Sequence, residues 1–199
     1  MKDIQFFAPL SMTSLARWVS ILAHPFVTTL VMVGAVELDR GWGAAARSVA
    51  TVALLAFLPL AVLMRRQVRS GAWTNVDASH PHERPVLFLV GGAGLLALLG
   101  YLAVAHPDSP LLRGAIGALA MVALCAAVTP WIKVSLHMAA ASLATAVLLS
   151  RGLPAGWLLA LVLPLLAWAR VALGRHGWAE VALGFLAGSI TGLVLGLLP

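Results

Sequence analysis

The chain has 199 residues, 61% of them hydrophobic and 10% charged, with a mean hydropathy of +0.99. Such values exclude an ordinary soluble domain and point to an integral membrane protein. The net charge of +6 does not indicate nucleic acid, because no basic run is interleaved with aromatics and the 13 Lys and Arg sit mostly at the ends of apolar segments.

The N-terminal stretch "MKDIQFFAPLSMTSLARW" has no continuous apolar core leading to a small-residue cleavage site, so no removable signal peptide is predicted. A spanning helix needs ~20 mostly apolar residues. Seven segments qualify: 17–38, 43–64, 85–105, 111–129, 131–150, 155–173 and 177–198. The first is interrupted by "AHPF" at His24 and Pro25, and the fourth ends at Pro130, so either has a re-entrant alternative and six spans is the second count. Trp18, Trp42, Trp131, Trp157 and Trp178 lie close to these boundaries, where amphipathic rings sit at the headgroup level. The expected fold is an all-α transmembrane bundle of six to seven spans, forming one domain over 1–199.

One polar connection is long, "MRRQVRSGAWTNVDASHPHERP" at 64–85, and loops of that length tend to be functional or disordered. Its Arg65, Arg66 and Arg69 read as headgroup anchors, and His24, His80, His82 and His106 as solvated or capping groups. Cys125, the single cysteine, lies in "GALAMVALCAAV", where apolar burial disfavours the thiolate, and it allows no internal disulfide. Gly184, Gly188, Gly192 and Gly196 recur at spacing four in the last segment, a pattern that lets helix backbones approach closely. It suits packing inside the bundle, with a homo-oligomer through the same face as the alternative.

Charged residues within or at the rims of spans are functional candidates by default. Three clusters qualify: "DASHPHERP" (77–85), "KVSLH" (133–137) and "ARVALGRHGWAE" (169–180). With seven spans, two helices separate each cluster from the next, so all three lie on one side of the membrane. Together they bring Arg84, Lys133, Arg170 and Arg175 to the hydroxyl of Ser135, two histidines and a carboxylate, a set suited to phosphate. His176 and Glu180, four apart on one helical face, give a carboxylate that orients the imidazole as a nucleophile. His137 then stands as general acid. Carboxylates are too few for a magnesium or calcium cage and no zinc-type His/Cys spacing is present, so no metal and no cofactor is expected.

These residues resemble the type 2 phosphatidic acid phosphatases, or lipid phosphate phosphatases, described by the motifs K-x6-R-P, P-S-G-H and S-R-x5-H-x3-D. Here the third reads Ala169, Arg170, five residues, His176, three residues, Glu180; the second reads Val134, Ser135, Leu136, His137; the first keeps Arg84 and Pro85 but has Asp77 in place of lysine. The match covers about residues 77–180. The resemblance implies His176 as the residue that forms a phosphohistidine, Glu180 as its orienting carboxylate, His137 as the acid, and Arg84, Ser135 and Arg170 as phosphate ligands. Lys133 is a candidate replacement for the missing lysine. Asp77, which would repel a phosphate, is expected to pair with an arginine or cap a helix, and Arg175 reads equally as phosphate-facing or as a snorkelling side chain.

The function expected is metal-independent hydrolysis of a lipid phosphate or diphosphate: phosphatidate, phosphatidylglycerol phosphate, a polyprenyl phosphate or diphosphate, or a prenyl-linked sugar phosphate. A phosphotransferase on the same site and an inactive lipid-phosphate-binding or transport protein are the alternatives, because every motif is altered somewhere. Sidedness stays open: Lys2, Arg17, Arg65, Arg66 and Arg69 flank the motif side, against Arg40, Arg47, Arg113 and Arg151 opposite. The compact, Ala/Leu/Gly-rich chain is expected in a bacterial inner membrane.

Overall fold

A computed structural model describes residues 12–197; Lys2, the stretch read for a signal peptide up to residue 11, and residue 198 lie outside them. The helices are α1 (Met12–Leu22), α2 (Pro25–Glu37), α3 (Trp42–Val52), α4 (Leu58–Arg69), α5 (Arg84–Ala105), α6 (Pro110–Val128), α7 (Leu136–Ser150), α8 (Pro154–Ala172) and α9 (Trp178–Leu197), with no strand among the described residues. Prolines open many of them: Pro25, Pro85, Pro110 and Pro154 occupy first-turn positions, where the missing N–H costs nothing and φ is already helical. His24, Ser109 and Ser135 then cap α2, α6 and α7 through side-chain acceptors.

Five helical stretches are long and apolar enough to cross a membrane: Trp42–Arg69, Pro81–Ala105, Pro110–Val128, Pro154–Ala172 and Trp178–Leu197. The α1–α2 pair, bent by 42° where His24 and Pro25 break the helix, makes a sixth when taken as one span. The protein is therefore an all-helical, multi-pass integral membrane protein. Trp42–Arg69 is one rod, carrying a π turn at Ala53–Phe57 where Pro59 removes a hydrogen-bond donor from the ladder.

The difference from seven spans lies at 131–150. Pro130 ends the preceding helix, the chain then runs non-helically to Ser135, and Ser135 caps a helix of only 15 residues. At ~1.5 Å per residue, α7 covers ~22 Å, less than the ~30 Å hydrocarbon thickness. It is also the core of the molecule: every residue from His137 to Leu148 is buried. Its run "AAASLATA" has no polar face to give to water, which is the pattern of an enclosed helix. The hydroxyls of Ser142 and Thr145 donate back to the carbonyls of Met138 and Ala141 at 2.7 and 2.8 Å, so no polar group is stranded there.

The glycine row of α9 explains how α7 is enclosed. A Cβ at Gly188 would meet the Ala139 carbonyl and Ser142 Oγ, and one at Gly192 would lie 2.7 Å from both Ala146 Cβ and the Leu143 carbonyl. Gly184 and Gly196 likewise press on Ser135 and Ser150. The face is thus packed against α7 within the chain, in keeping with the reading of the row as a packing surface inside the bundle.

The long connection is ordered around a buried carboxylate. Glu83, 1% exposed, accepts from the backbone N–H of Thr74 at 2.9 Å and of His80 at 2.9 Å, with Thr74 Oγ1 at 3.4 Å. Trp73 is buried with Met64, Ala78 and Leu87, so the loop is fastened to the ends of α4 and α5. Its tip, residues 77–79, is held over the end of the bundle.

Candidate functional site

Lys133 ties the three polar clusters together. It sits in the extended strip before α7, and its Nζ donates to the carbonyl of Ser79 at 3.1 Å and to that of Arg175 at 2.8 Å, with Glu180 Oε2 at 3.7 Å. The Ser135 N–H donates to the Glu180 carbonyl at 3.1 Å. The α4–α5 connection, the N-terminus of α7 and the α8–α9 connection therefore meet at one end of the bundle. The strip before α7 is not helical, so the N-terminus of that helix, with its first N–H groups, lies at this meeting point.

Two guanidiniums are almost fully buried there. Arg84 opens α5, is 2% exposed, and donates from Nη1 to the Val134 carbonyl at 2.7 Å. Arg170 closes α8, is 1% exposed, and donates from Nη1 to Ser20 Oγ at 2.7 Å and to Asp77 Oδ2 at 2.8 Å. Asp77 thus pairs with an arginine, as expected of a carboxylate set among cations. Among the described residues, three buried side-chain nitrogens have no hydrogen-bond partner: Arg84 Nε, Arg170 Nε and His137 Nε2. Buried polar groups are rarely left unpaired, and an unmade bond to a charged group costs more than the ~1–3 kcal/mol of a neutral one. The two guanidinium N–H groups define a demand for acceptor oxygens at one end of the molecule, and the His137 ring nitrogen is unpartnered at the same end.

His176 lies in the connection between α8 and α9 and is 7% exposed. Its Nδ1 is 2.7 Å from Glu180 Oε2, which also accepts from the Gly177 N–H at 3.3 Å. Burial pushes the imidazole far below its ordinary value, to about 2, and Arg170, Arg84 and Lys133 push the same way, with the backbone of Lys133 as a weaker opposing contact. The ring is therefore neutral near pH 7. Glu180 orients it, while Lys133 answers that carboxylate's charge.

The remaining expected residues take definite places. Ser135 is fully buried and its Oγ caps α7, accepting from the Met138 N–H at 3.4 Å; the hydroxyl proton is left as a donor. His137, one residue into α7, has Nε2 at 3.9 Å from Asp77 Oδ1, too long for a hydrogen bond. Arg175 donates to Ser79 Oγ at 3.0 Å, so it clasps the long loop rather than reaching into lipid.

Sequence reasoning missed Ser20, Ser79, Glu83 and, above all, His24. His24 caps α2, as a capping reading allows, yet its ring also packs edge-on against His137 with centroids 5.0 Å apart. Ligand atoms of His24, Asp77 and His137 all lie within 4.8 Å of one another. A divalent cation fits this trio poorly. His24 Nδ1 accepts the Phe26 N–H at 3.2 Å, which leaves the proton of the neutral ring on Nε2, and Arg170 already takes one oxygen of Asp77. The trio suits shared protons better than a metal. The X-Pro break "AHPF" inside an apolar segment was the available signal, since a break there costs stability without a local reason.

No family model matches the chain, and no curated protein or solved structure matches it.

Proposed function

We propose that this protein is a metal-independent lipid phosphate phosphatase, a divergent relative of the type 2 phosphatidic acid phosphatases, acting through a phosphohistidine. The observation that carries the reading is the set of unpartnered buried nitrogens on Arg84, Arg170 and His137, next to an imidazole held at 2.7 Å by Glu180. Phosphate oxygens would satisfy the two guanidiniums and the Ser135 hydroxyl, and the α7 N-terminus would add its dipole. In the first step His176 Nε2 attacks phosphorus, the phosphorus–oxygen ester bond breaks, and the leaving oxygen takes a proton from His137. In the second, water attacks the phosphohistidine, giving its proton to His137; the phosphorus–nitrogen bond breaks and phosphate leaves. Lys133 takes the charge role of the absent first-motif lysine, and Arg175 acts through the loop.

In this reading α7 is the seventh pass, shortened so that the site is recessed below the membrane face, in a bacterial inner membrane. A second reading, a lipid-phosphate-binding protein without turnover, draws on Asp77, whose carboxylate already occupies one edge of Arg170. The test is phosphate release from a panel of lipid phosphates and diphosphates, in detergent with excess chelator, beside His176→Ala. Release that survives chelation and disappears in the variant supports hydrolysis; release that tracks added alcohol acceptor indicates a phosphotransferase. Saturable lipid phosphate binding without any release favours the second reading.

A further inference from the structure

A cavity of about 190 Å³ runs inside the bundle, walled by α2, the Trp42–Arg69 rod, α5, α6 and α7. Its length follows from the wall residues of α5: Leu87, Gly91, Leu95 and Leu98 face it, and eleven residues at ~1.5 Å each make ~16 Å along the helix axis. The lining is apolar almost throughout, and its ionisable members, His24, Asp77 and His137, belong to the site cluster at one end of the bundle. Glycines keep the walls apart. A Cβ at Gly114 would meet nothing within 4 Å, and one at Gly91 only Leu60 Cδ2 at 3.8 Å, so side chains there would grow into the void.

We propose that this cavity is the binding site for one extended hydrocarbon chain of a single-chain amphiphile, whose polar head lies at the His137 end of the bundle. Volume decides the number of chains. A cavity of ~150 Å³ accommodates one six-carbon benzene, so a slot of about 190 Å³ takes the head-proximal carbons of one chain and has no room for two chains side by side. Lipid tails are as apolar as leucine, so moving a chain from bilayer to cavity gains little hydrophobic energy. Discrimination comes from shape: a two-chain lipid would have to leave one chain outside the walls and open a gap between helices. That the head is a phosphate rests on the proposed phosphatase reading; that the ligand has one chain rests on the cavity.

The experiment uses the His176→Ala protein, which holds substrate without turnover, in nanodiscs of dioleoyl phosphatidylcholine. Binding of tritiated hexadecyl phosphate, dipalmitoyl phosphatidate and hexadecan-1-ol is measured, alone and in combination with Gly114→Phe. The expected result is at least tenfold tighter binding of hexadecyl phosphate than of the two-chain phosphatidate, and at least a tenfold loss with Gly114→Phe while inorganic phosphate affinity is kept. Gly114→Ala serves as the folding control, and Gly91→Leu fills the slot from α5 where the phenylalanine variant fails to fold. Equal affinity for one- and two-chain phosphates, or affinity untouched by either filling variant, overturns the proposal. Should no phosphate bind while hexadecan-1-ol binds saturably and is lost with Gly114→Phe, the chain site stands and the phosphatase reading falls; if neither binds, both fall.

Discussion

Asp77→Asn separates what this carboxylate does for the fold from what it does to a ligand, because the two effects have opposite signs. Arg170 is 1% exposed and Asp77 is its charged partner at 2.8 Å, with Ser20 as the neutral one. Asparagine keeps an acceptor oxygen but removes the charge, so unfolding should become easier by about 1–3 kcal/mol, the scale of a weakened buried charged hydrogen bond. Complete loss of a partner from a buried ion costs about 3–5 kcal/mol, which bounds the effect of Asp77→Ala. An incoming anion gains instead. Two like charges ~5 Å apart at an effective dielectric of about 20 repel by about 3 kcal/mol, so removing the carboxylate should tighten phosphate or orthovanadate at least tenfold even after solvent screening. Calorimetric titration of both proteins with orthovanadate, beside thermal unfolding in the same detergent, reads both quantities. Lower stability with tighter anion binding is the expected pair. Unchanged or weaker anion binding in Asp77→Asn would mean that the anion does not approach Arg170, and the phosphate site as drawn would be wrong.

Two further perturbations test the frame. Glu83→Ala leaves the N–H groups of Thr74 and His80 without their acceptor, at about 1–3 kcal/mol each, and should expose the 70–83 loop to protease; Glu83→Gln, which keeps one acceptor oxygen, should fall between. Equal cleavage of wild type and Glu83→Ala would show that the loop is held by other contacts. His176 has a folded-state value pushed to about 2 by burial, against ~6.5 when unfolded. Between those values the unfolded chain binds more protons, so the contribution is intact above about pH 6.5 and is lost as pH falls below it. Thermal midpoints from pH 7 down to pH 4 should decline, and His176→Gln should flatten that slope; an identical slope in the variant would refute a neutral buried ring.

The broad architecture was legible in the chain because it follows from local properties. Apolar length placed the helical segments at 43–64, 85–105, 111–129, 155–173 and 177–198 within a few residues, apart from the rod that continues to Arg69 through its amphipathic end. The three polar clusters were legible as clusters because charge is costly near lipid; that they meet at one end of the bundle is a matter of contacts, those of Lys133 with Ser79 and Arg175 and of Ser135 with Glu180. His176 with Glu180 was legible because a spacing of four is a single helical face.

What needed the tertiary structure depends on contacts between residues distant in sequence. Lys133 reaches carbonyls 54 and 42 residues away, Arg170 finds Ser20 150 residues away, and Asp77 93 away. Periodicity carries no information about such pairs. The glycine row of α9 was readable as a close-packing surface, but only the assembled bundle assigns α7 to it, because a small-residue face fits any small partner. The cavity belongs to the same category: it is the space left between five helical walls, whose lining includes Thr29, Ala56, Gly91, Gly114 and Ala140. By itself, the sequence determined an all-helical membrane chain with charges gathered at the helix ends, since hydropathy and helical period act along the chain. Which guanidinium meets which carboxylate, and where a void remains, was decided by packing, since those are properties of how helix faces fit together.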